Sequence, residues 1–228
     1  MPDVAAGRVA AIIPAAGLGV RFGASEPKAF FKLAGLSLLT RSALTLSTVV
    51  DVLVVAAPEA WIEQTAIELA EVDAEVHIVV GGETRQDSVM NAVKVLPEDI
   101  HFVLIHDAAR PLVPQSLIAD VVCALSEGAQ AVVPALPVAD TVKRVDNSGA
   151  VLETLDRNPL RRIQTPQGFT RETLIKAFED PTHIATDEAG LVERMGVRVQ
   201  TIDGSEAAFK ITTADDVRLA LTILQEQL

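Results

Sequence analysis

Cysteine is almost missing from this chain. Its one thiol, Cys123, excludes an internal disulfide and suits a reducing compartment. Cys123 falls in the apolar helical run from Leu117 to Leu125, which predicts a buried filler and not a nucleophile. Basic charge is also scarce: 19 Lys and Arg against 31 Asp and Glu leave a formal net charge of −12. Nucleic-acid binders need a broad basic surface, so that class is excluded. A small polyanion needs only a local basic pocket and stays open. No apolar run approaches the ~20 residues that span a bilayer. Met1 to Val9 carries Asp3 and Arg8 without an apolar core, so no signal peptide is expected. These absences predict a soluble cytoplasmic protein with neither membrane nor nucleic acid as partner.

The 228 residues, 49% hydrophobic and 22% charged, suit one α/β domain spanning 1–228. Apolar strand-like runs at Ala10 to Pro14, Asp51 to Pro58, Val76 to Val80, Phe102 to His106 and Ala131 to Ala135 alternate with helical patterns. The helices are expected at Leu38 to Leu46, Glu59 to Glu71 (with Trp61 on its apolar face), Ser88 to Leu96 with a first turn near Arg85, and Gln115 to Glu127. This alternation predicts an α/β fold, a mostly parallel sheet flanked by helices. Thr141 to Val145 and Val151 to Leu155 then flank the turn cluster Asp146-Asn147-Ser148-Gly149, a β-hairpin pattern. Its two-sided polarity makes it a projecting β-hairpin arm over about 138–158. Surface ornament and dimerisation arm are equally open readings. Helices at Leu174 to Glu179, Glu188 to Met195 and Ala214 to Gln227 follow, the last capped by Thr213 with Asp215 and Asp216 in its first turn. Strands are expected at Val197 to Ile202 and Phe209 to Ile211.

In such sheets ligands bind beyond the carboxyl ends of the strands, where the unusual residues fall. The first strand runs into Pro14-Ala15-Ala16-Gly17-Leu18-Gly19-Val20-Arg21-Phe22-Gly23, with Pro27-Lys28 beyond. Small residues let an anion approach backbone amides, and Arg21 and Lys28 add charge suited to phosphoryl or nucleotidyl transfer. A dinucleotide fingerprint fails, because Phe22 replaces the third glycine and the next strand ends in alanines, not an acid. Nor is Lys28 in a P-loop frame. Gly81 to Ser88 and His106 to Pro111 occupy two further strand ends. Asp107 is a candidate Mg²⁺ ligand, since Mg²⁺ takes few carboxylates plus phosphate oxygens and water; helix capping is the competing role. His106 is expected to be structural, because no second His or Cys at ligand spacing accompanies it. Arg157, Arg161 and Arg162 near Thr165, the run Thr186-Asp187-Glu188, and Lys210 between Phe209 and Ile211 offer a second phosphate site. A solvated face and a helix start are the plainer readings of the first two.

Taken in order, Pro14-Ala15-Ala16-Gly17-x-Gly19-x-Arg21, Pro27-Lys28, Gly81-Gly82-x-x-Arg85-x-Asp87-Ser88-Val89, His106-Asp107-Ala108-Ala109-Arg110-Pro111, Asp140-Thr141-Val142-Lys143, Arg157-Asn158, Gln164-Thr165-Pro166-Gln167, Thr186-Asp187-Glu188-Ala189 and Lys210-Ile211-Thr212 resemble the 2-C-methyl-D-erythritol 4-phosphate cytidylyltransferase family over nearly the whole chain. The length leaves no room for the cyclase domain fused to some relatives. The resemblance implies a Rossmann-like fold and the reaction of CTP with methylerythritol phosphate, with Mg²⁺ or another divalent cation, to give the CDP-alcohol and pyrophosphate in non-mevalonate isoprenoid synthesis. It implies catalytic roles for Arg21, Lys28 and Lys210. It assigns CTP to Pro14, Ala15, Ala16, Gly17, Gly19, Gly82, Glu83, Arg85, Asp87, Ser88 and Ala108, with Gly82, Glu83 and Ser88 at the cytosine. Asp107 holds the metal, and Asp107, Arg110, Thr141, Arg157, Thr165 and Thr186 bind the acceptor. By the same resemblance the arm makes a homodimer, and Thr141 and Arg157 reach the neighbouring subunit's site. Ala29, Glu83 and Gly190 depart from commoner glutamine, aspartate and serine.

Two other functions compete: a ribitol 5-phosphate cytidylyltransferase, and a catalytically silent nucleotide-binding protein on this fold. Ala109, where ribitol enzymes tend to carry valine, favours methylerythritol phosphate. Joint retention of Arg21, Lys28, Asp107 and Lys210 disfavours the silent protein. If Lys28 acts on the transition state, Lys28→Ala lowers kcat by roughly 10²–10³-fold while CTP affinity changes far less. Steady-state kinetics beside equilibrium CTP binding checks this, and equal losses in both would contradict it.

Overall fold

A computed structural model describes residues 7–17, 26–179 and 185–226. The opening apolar run forms β1 (Arg8–Pro14), whose inner residues are all buried. A short 3-10 turn at Lys28–Phe30 leads to the small hairpin β2 (Lys32–Leu33) and β3 (Leu36–Ser37). Helix α1 (Leu38–Leu46) starts where the Ser37 hydroxyl accepts from the Thr40 amide, one of the donors a helix start leaves unpaired. Then come β4 (Val52–Ala57), a 3-10 turn at Glu59–Trp61, α2 (Ile62–Glu68) and β5 (Glu75–Val80). Next are α3 (Arg85–Val93), β6 (Ile100–Ile105), α4 (Gln115–Ser126) and β7 (Ala131–Pro137). The hairpin is β8 (Lys143–Val145) and β9 (Val151–Thr154). The remainder comprises β10 (Arg161–Ile163), β11 (Gln167–Thr170), α5 (Arg171–Ala177), α6 (Glu188–Arg194), β12 (Val199–Asp203) and α7 (Ala214–Glu226).

The mixed α/β architecture agrees with the sequence pattern. Strands β6, β1, β4 and β5 lie side by side and all parallel, so their carboxyl ends share one edge of the sheet. Beyond β6 the direction reverses, because β11 pairs antiparallel with both β6 and β7. β10 continues beside the far end of β7, and β12 covers its other edge in parallel. The antiparallel insert escaped the sequence pattern: Arg161–Ile163 and Gln167–Thr170 are short and half polar, without a buried-strand run.

Alternate residues of β1 feed opposite faces, as the two-residue period of a strand requires. Val9, Ala11 and Ile13 pack with Leu39, Ala43, Leu46, Ile118 and Val121 of α1 and α4. Ala10 and Ile12 pack with Val89, Ala92, Leu174, Leu191 and Val192 of α3, α5 and α6. Helix α7 closes a smaller cluster with Leu33, Leu38 and Ile211, and Thr213 caps it by accepting from the Asp216 amide at 3.3 Å.

Three expectations need correction. Cys123 is exposed and points its thiol at Glu127, because the buried stripe of α4 runs through Leu117, Ile118, Val121, Ala124 and Leu125 and leaves position 123 off it. Phe209 to Ile211 is not a strand. It is an extended strap after the turn Glu206–Ala208, held by the Ile211 amide donating to the Ala109 carbonyl at 2.8 Å. Trp61 does not ride a helix face: it ends a 3-10 turn and stacks on Phe30, ring centroids 4.5 Å apart.

The arm is a true hairpin. β8 and β9 pair only with one another, and all their residues are exposed. The turn is tied by Asp146, whose carboxylate accepts from the Ser148 and Ala150 amides, and Gly149 takes the left-handed backbone (φ 86°) that glycine tolerates. No helix among the described residues is long and apolar enough to cross a membrane.

Phe169 sits at the centre of the antiparallel insert and is fully buried. Phe169→Ala should destabilise the fold by about 3–5 kcal/mol, read as a shift of the denaturation midpoint with an unchanged slope. A loss below about 1 kcal/mol would mean that the insert is not part of the cooperative core.

Candidate active site

Three strand ends, those of β1, β5 and β6, converge on one open cleft of about 250 Å³. β1 hands over to Ala15, Ala16 and Gly17, whose path is set by the Ala15 amide donating to the Ala56 carbonyl at 2.7 Å. β5 runs into Gly81-Gly82-Glu83-Thr84. A Cβ on Gly81 would lie 2.3 Å from that of Ala16, so only glycine lets these two loops touch. Helix α3 then begins in a reciprocal capping box: the Thr84 hydroxyl accepts from the Asp87 amide, and the Asp87 carboxylate accepts from the Thr84 amide. Ser88 accepts from the Gly82 amide at 3.0 Å and donates to the Thr84 carbonyl at 2.9 Å, which pins the glycine loop to the helix.

Lys28 joins the same cleft from its own 3-10 turn. Its 3-10 turn is anchored by Phe30, only 3% exposed and stacked on Trp61. The cleft is lined by Pro14, Ala15, Ala16, Gly17, Lys28, Ala29, Gly82, Glu83, Thr84, Arg85, Ser88, Asp107, Ala108, Ala109 and Lys210. Three cations, Lys28, Arg85 and Lys210, therefore face two carboxylates in a chain whose formal net charge is −12.

Asp107 sits at the middle of these charges. Its carboxylate, 14% exposed, lies 2.9 Å from Lys210 Nζ and 3.4 Å from Arg85 Nε, with Arg110 Nε at 3.9 Å. Burial would push its pKa up, but Arg85, Lys210 and Arg110 outweigh burial and hold it well below the usual carboxylate range. Burial likewise works against the Arg85 cation, yet Glu188 and Asp107 hold its pKa above the ordinary value. The Arg85 Nη1 donates to both oxygens of Glu188, at 2.6 and 2.7 Å.

Behind Asp107 a second chain of hydrogen bonds runs inward. The Thr165 hydroxyl accepts from the Asp107 amide at 3.1 Å and lies 3.1 Å from His106 Nδ1. His106 Nε2 lies 3.3 Å from the Arg110 carbonyl. A carbonyl can only accept, so Nε2 carries the proton and Nδ1 of the neutral ring accepts from Thr165. Burial pushes His106 down to about 4, in keeping with the structural role expected of it.

The described residues among those expected from sequence divide into three groups. Pro14, Ala15, Ala16, Gly17, Lys28, Gly82, Glu83, Arg85, Ser88, Asp107, Ala108 and Lys210 line one cleft. Asp87 is committed to its capping box, and Arg110 donates to the Ala208 carbonyl at 2.7 Å and the Ile163 carbonyl at 3.4 Å; neither lines the cleft. Thr165 is buried behind Asp107, Thr186 is exposed just before α6, and Thr141 and Arg157 are exposed on the arm, where Arg157 donates to the Ala139 carbonyl. Gly19 and Arg21 lie outside the described residues. Sequence reading missed Thr84, which lines the cleft, and the contact that Glu188 makes from outside it. Thr84 stands three residues before Asp87, the spacing of a capping box, which was the available signal.

A glycine-bearing loop at a parallel strand end, facing lysines, an arginine and a carboxylate, defines a phosphate-handling α/β enzyme of the nucleotidyltransferase class. A family model described as 2-C-methyl-D-erythritol 4-phosphate cytidylyltransferase matches residues 9–226. The protein of that name from Rhodococcus jostii is 50% identical over 222 residues, 96% of each chain. The crystal structure of the Thermus thermophilus protein of that name has 33% identity and a TM-score of 0.79, covering 96% of this chain and 99% of its own. That of 4-diphosphocytidyl-2C-methyl-D-erythritol synthase from Anaerococcus prevotii has 28% identity and a TM-score of 0.86, covering 97% and 98%. The chain belongs to the 2-C-methyl-D-erythritol 4-phosphate cytidylyltransferase family.

Because burial holds His106 neutral, its imidazole signals should show no protonation shift between pH 5 and pH 8 in histidine NMR. A midpoint near 6.5, the ordinary histidine value, would mean that the Thr165 and Asp107 backbone are not held as described.

Proposed function

We infer that this enzyme transfers the cytidylyl group of CTP to 2-C-methyl-D-erythritol 4-phosphate, giving 4-diphosphocytidyl-2-C-methyl-D-erythritol and pyrophosphate in non-mevalonate isoprenoid synthesis. The observation that carries the reading is the meeting of Lys28, Arg85, Lys210 and Asp107 at one cleft beside the Ala15 to Gly17 loop, in a chain of this family. The ribitol phosphate alternative is not favoured by these relatives.

The acceptor phosphate attacks the α-phosphorus of CTP, one P–O bond forms, and the bond to the pyrophosphate oxygen breaks. Little covalent chemistry falls to the protein; its work is positioning and charge neutralisation. Lys28 and, as expected from sequence, Arg21 neutralise charge growing at the α-phosphate, while Lys210 supports the phosphates. Amides of Ala15 to Gly17 receive phosphate oxygens, and Gly82, Glu83 and Ser88 receive the cytosine. Thr141, Arg157, Thr165, Thr186 and Arg110 belong to the acceptor side. Thr141 and Arg157 serve a neighbouring subunit across a homodimer built on the arm, whose exposed Val145, Val151 and Leu152 offer apolar surface for a second copy. The chain acts as one nucleotidyltransferase domain with that arm.

Mg²⁺ or another divalent cation fits the donor set. Among the described residues no three His, Cys, Asp or Glu side chains converge to cage an ion. Asp107 offers an ionised carboxylate into the cleft, and Mg²⁺ takes its other positions from phosphate oxygens and water. When bound, the ion supplies charge neutralisation on the triphosphate.

Pyrophosphate release from CTP with a panel of acceptor phosphates tests the reading. Turnover is expected with methylerythritol phosphate, and excess EDTA is expected to reduce it to background. Turnover with ribitol phosphate alone would replace the acceptor, and none with any acceptor would remove the enzyme reading.

A further inference from the structure

We propose that Glu188 is a positioning residue of this reaction, acting through Arg85 to set the charge pattern around Asp107. The proposal deepens the cytidylyltransferase reading and rests on it. Glu188 opens α6, one residue beyond Asp187, and is 1% exposed. A carboxylate that deep needs a cation or a proton. It meets the Arg85 Nη1, which donates to both its oxygens at 2.6 and 2.7 Å, while Arg85 Nε reaches Asp107 at 3.4 Å.

The guanidinium is thus held between two carboxylates, with the shorter contacts to the one outside the cleft. Glu188 draws Arg85 back, so Lys210 at 2.9 Å remains the closest cation on Asp107. If Glu188 lost its charge, the short contacts of Arg85 would be free to move to Asp107 or to an entering phosphate. Either move changes where positive charge stands when the α-phosphorus is attacked.

The same contact ties two parts of the fold. Arg85 begins α3 on the nucleotide side of the cleft. Glu188 begins α6, and the residue before it, Asp187, accepts from the Gln167 side-chain amide at 2.7 Å; Gln167 in turn accepts from the Ala189 amide at 3.2 Å. The ion pair thus adds a charged tie between the acceptor side, from β11 to α6, and the nucleotide side, beside the apolar packing that α3 and α6 share.

A double-mutant cycle tests this on the full chain with Glu188→Gln, Arg85→Gln and the double variant. Glu188→Gln should lower kcat by about tenfold with a smaller change in the KM for CTP, and the double variant should match Arg85→Gln within about twofold. Losses that multiply in the double variant would overturn the proposal, because Glu188 would then act independently of Arg85. So would a Glu188→Gln variant that melts early yet turns over normally while folded, since that is a structural role alone. If the glutamine variant does not fold, the apolar pair Arg85→Met with Glu188→Leu takes its place and is compared with Arg85→Met. Equal turnover supports the proposal and lower turnover overturns it. Repeating the cycle on CTP affinity by calorimetry needs no acceptor. Failure of the wild type to use methylerythritol phosphate would therefore sink the functional reading and leave the Glu188–Arg85 coupling separately measured.

Discussion

The site depends on one charged group that the fold has to neutralise. Asp107, at the end of β6, is largely withdrawn from water yet ionised. A buried carboxylate is tolerated only with cations or donors close by. Here they come from distant parts of the chain: Arg85 from the start of α3 and Lys210 from the strap before α7, with Arg110 flanking. Its amide donates to Thr165 from the antiparallel insert. One carboxylate thus gathers distant segments of the chain around one strand end.

This arrangement explains how a strongly acidic chain handles polyanions. The surplus of acid is spread over the surface, while the cleft gathers Lys28, Arg85 and Lys210 around two carboxylates. Local potential in a cleft outweighs remote net charge once salt screens the surface, with a Debye length of about 8 Å at physiological ionic strength. The lysines differ in their support. Lys28 stands on a turn clamped by the Phe30–Trp61 stack. The strap that carries Lys210 is joined to the Ala109 carbonyl through the Ile211 amide, so the cation is tied to the strand end it serves.

Much of the parallel half was legible in the chain. β1, β4 and the carboxyl half of β6 are buried on both faces, so they read as continuous apolar runs, and their loops carry the glycines and charges that mark strand ends. The antiparallel insert was not legible. Gln167–Thr170 has two polar residues in four, and its pairing with β6 and β7 is a long-range choice that no local pattern announces. The same limit applies to Cys123, where one step around α4 separates core from solvent.

The sequence by itself determined the α/β class, the helix–strand rhythm and most cleft-lining residues, because those follow from local periodicity and from residues clustered at strand ends. Its ordered motifs also named the family, which the comparisons with relatives bear out. Only the tertiary structure decided what the polar residues do once gathered. It turned Asp87 into a cap, committed Arg110 to two carbonyls, placed Thr165 behind Asp107 and made Glu188 the partner of Arg85. The reason is physical. A charged or hydroxyl side chain takes its role from whichever group burial brings within about 3 Å, and that neighbour stands, for Glu188 and Arg85, 103 residues away along the chain.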